Sequence, residues 1–194
     1  MKGYKEVIAA FEIIMQKYKD LNPFVMLLGN ETPANEAIKF DNKSIGYIND
    51  NQKLAVAYSA PDVVIVPSLE ETFSNTTAES ISCGTPVVGF KTGAIPDMAQ
   101  DGVTGYTVEI GDVEGLAEGI YKTLIGKNMS QNCRKYAQKN LSFMIQARRY
   151  EELFYELYTY NKMPKISNAQ LFPSYFTETT PTIMNLLVSQ LLKK

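Results

Sequence analysis

Histidine and tryptophan are both missing from the 194 residues. Without histidine the chain can hold no Ser-His-Asp triad, no imidazole general base and few of the known catalytic zinc sites. Cysteine is scarce. Cys83 and Cys133 stand in apolar surroundings without CxxC spacing, so they read as two reduced core thiols. No run of 18 apolar residues is present, so no segment reads as a membrane-spanning helix. The start, MKGYKEVIAAFE, carries charges every few residues and lacks the apolar core of a signal peptide. Nor is one sign of charge in large excess: 19 basic against 21 acidic residues give a net charge of −2. That balance argues against a general nucleic-acid binder. Chemistry in this chain is left to carboxylates, hydroxyls, lysine, arginine and backbone amides.

What is present is a globular composition, 45% hydrophobic and 21% charged, with alternating strand and helix signals. Val7, Ile8, Phe11, Ile14, Met15 and Tyr18 predict a helix over 4–19 with one buried stripe. Phe24 to Leu28 reads as a strand buried on both faces, residues 30–43 as a loop, and Ser44 to Ile48 as a second strand. A helix over 51–59 is expected to turn Leu54, Ala55 and Tyr58 inward. DVVIV, residues 62–66, is the strongest strand signal. Ser74 or Asn75 then caps a helix that runs to about Cys83 and stops at Gly84. Strands over 87–90 and 106–108 follow, separated by a short helix over 96–100. Asp112 caps a helix with Val113, Leu116, Ala117, Ile120 and Leu124 on one face. Helices near 131–139 and from Ser142 onward complete the pattern, the last expected to turn Phe143, Ala147, Tyr150, Phe154 and Leu157 inward. This repetition predicts an α/β fold, a Rossmann-like three-layer domain with a parallel sheet over 1–160. Residues 161–194 shift toward Ser, Thr, Asn and Pro and read as an extension of uncertain structure.

The unit from Asp62 to Phe90 carries the chemistry. Ligands in open α/β sheets bind beyond the carboxyl ends of the strands. The helix start near Asn75 offers free N–H groups and a positive dipole end, which suit phosphate. Glu71 precedes that helix and Glu79 lies about one turn inside it. An anion site flanked by two hydroxyl-accepting carboxylates fits a nucleotide sugar: hexose, diphosphate, ribose.

The pattern PSLEE-x-F-x5-ES-x2-CGTPVV-x6-IPD-x3-DGVTGY-x4-GD resembles the donor-binding C-terminal domain of retaining GT-B glycosyltransferases of group 1, glycosyltransferase family 4. The likeness runs from about Lys2 to Tyr158. It implies that Glu71 binds hexose hydroxyls, Glu79 binds ribose hydroxyls, and the amides of Thr72, Phe73, Ser74 and Asn75 hold sugar oxygens and phosphate. Lys2, followed by Gly3, would contact the diphosphate and stabilise charge on the leaving group. Tyr47 and Ile48 would pack against the nucleobase. Thr72 and Ser74 stand where glycine is usual, and side chains there are expected to narrow the sugar pocket. No DxD motif is present, and the resemblance implies no metal and no cofactor beyond the nucleoside-diphosphate sugar itself. It also implies an N-terminal GT-B domain as the partner that supplies the acceptor, so this half alone is expected to bind donor without significant transfer. A nucleotide-sugar-binding subunit of a split glycosyltransferase is the alternative. The expected setting is cytoplasmic, with an acceptor at the inner face of a membrane. Without its partner domain the last helix is expected to expose Tyr150, Phe154, Tyr155 and Tyr158 and to favour self-association.

Overall fold

A computed structural model describes residues 3–19, 21–29 and 40–162. The Lys2 and 161–194 expectations fall largely or wholly outside them. The chain divides into two compact units, Met1–Gln146 and Ala147–Lys194.

The first unit alternates as the sequence predicts: α1 (Tyr4–Lys17), β1 (Val25–Leu28), β2 (Asn42–Gly46), α2 (Asn51–Ser59), β3 (Val64–Val66), α3 (Asn75–Cys83), β4 (Val87–Phe90), α4 (Ile95–Met98), β5 (Gly105–Val108), α5 (Val113–Ile125) and α6 (Ser130–Asn140), with α7 (Phe143–Lys162) running on into the second unit. Local chemistry sets several boundaries. Asp50 Oδ1 accepts from the Lys53 amide at 2.8 Å and opens α2. Asp112 Oδ1 does the same for the Gly115 amide at 2.8 Å and opens α5. Each satisfies one of the amides left unpaired at a helix start. Gly84 stops α3 at φ 90°, its amide bonding back to the Ile81 and Ser80 carbonyls.

All strand pairings are parallel. The expected single sheet is instead two: β1 pairs with β2, and β3–β4–β5 form a separate three-stranded sheet. Among the described residues β1 and β3 each have a strand partner on one side only. The Phe24–Leu28 segment is accordingly not buried on both faces. Its residues Val25 to Leu27 are half-buried, and Leu28 is 38% exposed.

β4 shows the layering most clearly, since successive strand residues face opposite sides. Val87 joins a core with Ile81 of α3, Ile95 and Met98 of α4 and Cys133 of α6. Its neighbours Val88 and Phe90 join a second core with Ala10, Phe11 and Ile14 of α1 and Leu116 and Ile120 of α5. Helices thus cover both faces of the sheet. Each fully buried Ile, Leu or Phe contributes about 1.5–3 kcal/mol. The predicted α5 stripe is the one buried. In α1 the stripe is narrower than predicted: Met15 is 48% exposed. Along α7 the residues predicted to point inward mostly do not, Leu157 alone of them being half-buried. Phe143 is 82%, Tyr150 60% and Phe154 41% exposed, because an amphipathic stripe buries itself only where another element covers it.

Candidate functional site

The Glu71–Glu79 segment lies at the carboxyl end of β3. The chain leaves Val66, passes through the loop 67–74 and enters α3 at Asn75. The loop is tied down at several points. The Gly3 amide donates to the Pro67 carbonyl at 2.8 Å, which brings the residue after Lys2 to the same sheet end. Lys2 itself lies outside the described residues. Ser68, 6% exposed, donates to Glu71 Oε2 at 3.4 Å. Glu71 Oε1 accepts from the Thr72 amide at 3.1 Å. The carboxylate is thereby turned along its own loop and left half-buried.

Ser74 is the non-glycine residue with positive φ among the described residues, at φ 65° and ψ 82°. This left-handed turn explains why glycine suits the position. The serine compensates by capping. Its Oγ accepts from the Thr77 amide at 3.4 Å and pairs with Thr77 Oγ1 at 2.9 Å. The side chain is 3% exposed, so it does not narrow a pocket as the sequence reading expected. Its hydroxyl is consumed inside the turn. The Thr72 side chain is exposed.

Glu79 sits one turn into α3 and is exposed. Tyr58 of α2, 6% exposed, borders the same cleft as Glu79. Burial first, then the neighbouring Glu79 carboxylate, push the Tyr58 phenol up to about 12. The phenol therefore stays protonated at ordinary pH beside the carboxylate. Tyr58 and Glu79 border an open cleft of about 330 Å³ between α2 and α3, lined also by Leu54, Ala55, Phe73 and Cys83. That volume is in the range of small-molecule sites. The α2 face expected to turn inward is the face that lines this cleft. Only Ala57 and Tyr58 on α2 are buried. Cys83 borders the cleft, whereas Cys133 is fully buried, with its thiol pushed up to about 11 by desolvation.

Glu71, Thr72, Phe73, Ser74, Asn75 and Glu79 thus gather at one sheet end. Tyr47 and Ile48 lie beyond β2, in the connection to α2. Tyr47 is 74% exposed and Ile48 half-buried; neither lines the cleft. Lys91, one strand along, is ion-paired with Glu109 at 2.7 Å. Among the described residues no cluster of acidic or cysteine side chains could hold a metal ion, and no helix is long and apolar enough to cross a membrane. Two contributors escaped the sequence reading. Tyr58 carried only a burial signal. Gly93 fell among the unspecified positions before IPD, and its contact with the Glu71 loop spans more than twenty residues of sequence.

The chain belongs to the glycosyl transferases group 1 family, which it matches over residues 1–140. It is 26% identical over 124 residues to N-acetyl-alpha-D-glucosaminyl L-malate synthase of Bacillus anthracis, covering 62% of this chain and 32% of that protein. It is 35% identical over 92 residues to D-inositol 3-phosphate glycosyltransferase of Saccharomonospora viridis, covering 45% of this chain and 21% of that one. In structure it resembles sucrose-phosphate synthase from Thermosynechococcus elongatus, with TM-score 0.66 and 26% identity over 82% of this chain and 43% of that one. It shares a fold with Anabaena HepE, solved with UDP and glucose, at TM-score 0.62 and 22% identity over 78% of this chain and 44% of that one. The chain spans about a third or less of these curated relatives, and under half of these solved chains. Its fold is that of one half of a GT-B glycosyltransferase.

Proposed function

We propose that this domain binds a nucleoside-diphosphate sugar across the start of α3 and presents the hexosyl group for transfer with retention to an acceptor held by a second, N-terminal GT-B domain. The observation that carries the proposal is the pair Glu71 and Glu79 bracketing the capped N-terminus of α3 in a group 1 glycosyltransferase domain. The diphosphate sits on the free amides at that helix end, where the dipole favours an anion. Glu71 accepts hexose hydroxyls on one side. Glu79, beside the Tyr58 phenol, accepts ribose hydroxyls on the other. Lys2 neutralises charge on the leaving diphosphate, and Tyr47 and Ile48 flank the base. Electrostatic stabilisation of the leaving group is the main catalytic contribution of this half. Positioning of the acceptor comes from the partner domain, so the isolated chain binds donor without appreciable transfer. No metal is required. The setting is cytoplasmic, with an acceptor at the membrane's inner face, and the exposed aromatics of α7 favour self-association.

Calorimetric titration with UDP, GDP, ADP and CMP tests the reading. One diphosphate is expected to bind with a Kd on the order of 10 μM to 1 mM, about −4 to −7 kcal/mol. Glu79→Ala should weaken it roughly tenfold, the effect of losing hydrogen bonds to a charged acceptor. EDTA should change nothing. Equal affinity of the Glu79→Ala variant, or strong loss with EDTA, would overturn the assignment.

A further inference from the structure

The turn between β4 and α4 touches the site from the side. Gly93 has φ 53°, and a Cβ built on it would lie 2.4 Å from both the Glu71 and the Thr72 carbonyl oxygens. The next amide, Ala94 N–H, donates to the Thr72 carbonyl at 2.8 Å. Two peptide groups of the Glu71 loop thus rest directly on the backbone of Gly93 and Ala94. The turn has little room to retreat. The residues that anchor it on either side, Phe90 and Ile95, are fully buried, each at 0% exposure. The facing residues Glu70 and Thr72 are exposed, so the Glu71 loop is the side that gives when the contact is crowded.

We propose that Gly93 is a positioning residue: its bare Cα and the Ala94 amide form a latch that sets where the Glu71 carboxylate stands, and so controls how the site grips the sugar rather than the nucleotide. This rests on the reading of Glu71 as the hexose-binding carboxylate. A side chain at 93 pushes the 71–72 carbonyls outward and swings Glu71 with them. Asn75, Thr76 and Glu79 belong to α3, which is held by its own cap and by packing of Thr77, Ser80 and Ile81, and they stay in place. The nucleotide grip survives while the sugar grip is lost.

The test measures UDP against UDP-glucose and GDP against GDP-mannose, by calorimetry, on the full chain and on Gly93→Ala. The ratio of nucleotide-sugar to diphosphate affinity should fall about tenfold in Gly93→Ala, as in Glu71→Ala, with the diphosphate Kd within about threefold of the unaltered protein. Gly102→Ala is the strain control. Gly102 has φ 69° but only Tyr106 Oη, at 3.8 Å, near a built Cβ. A destabilised fold alone would therefore shift both variants alike, and an equal fall in Gly102→Ala overturns the proposal. So does an unchanged ratio in Gly93→Ala. Should Gly93→Ala fail to fold, the unaltered protein still decides. Nucleotide sugar should slow exchange of the Ala94 amide more than the diphosphate does, and equal protection overturns the latch. If the unaltered chain binds none of the four ligands, the donor-site reading falls, and the latch with it. Binding by the unaltered chain with an unmoved ratio removes the latch alone.

Discussion

Ser74 concentrates the strain and the capping of the site in one residue. A left-handed conformation costs a non-glycine residue about 1–2 kcal/mol, and the cap to Thr77 returns about 1 kcal/mol. Replacing it by glycine relieves the strain and forfeits the cap. Replacing it by alanine keeps the strain and forfeits the cap as well. Ser74→Ala is therefore expected to be less stable than Ser74→Gly by about 1–2 kcal/mol, read from urea midpoints of the two variants. Equal midpoints would show that the turn relaxes out of the left-handed region. The sequence made Ser74 or Asn75 legible as a cap, because Ser and Asn before a helical stripe are a local signal. Where the hydroxyl would point was not legible. Its direction follows from a backbone angle that no spacing rule reports. Glu79 has the same division: its place on α3 follows from helical spacing, while its position beside Tyr58 depends on α2 packing beside α3.

At the scale of elements, the strands differ in how they are covered. β4 is paired on both edges and all four of its residues are buried. Among the described residues β3 pairs with β4 alone, and its Val64 and Ile65 are only half-buried. Among the described residues β1 pairs only with β2, and Leu28 is exposed. Unpaired edges open more readily than doubly paired strands. Native-state amide exchange is expected to be slowest in β4, faster in β3 and fastest in β1. Equal protection throughout would mean that the two sheets open as one. Every one of these strands was recognisable as an apolar run, and each boundary fell within about two residues. Their grouping into two sheets was not recognisable, since FVMLL and DVVIV carry the same signature whether one edge or two are paired. The short α4 likewise begins one residue before its predicted start, with Ile95 ahead of Pro96.

At the scale of the whole molecule, the second unit carries α7 with Tyr150, Leu153, Phe154, Tyr155 and Tyr158 exposed, at 60, 47, 41, 69 and 45%. Aromatic surface of this kind favours association. The chain is expected to elute above its 21.7 kDa mass at high concentration in gel filtration, and Tyr155→Glu should return it toward the monomer. A monomer at every concentration would remove the proposal. What could be read from residue order alone was the class of fold, the run of elements and the acid-flanked helix start, all of which rest on short-range periodicity, capping chemistry and one dense motif. What needed the folded chain was which edges stay open, that the α2 stripe faces a cleft, that Ser74 turns its hydroxyl inward, and that Gly93 bears on the Glu71 loop. Those depend on contacts between residues distant in sequence, and such contacts follow from how elements pack against one another, which no local pattern encodes.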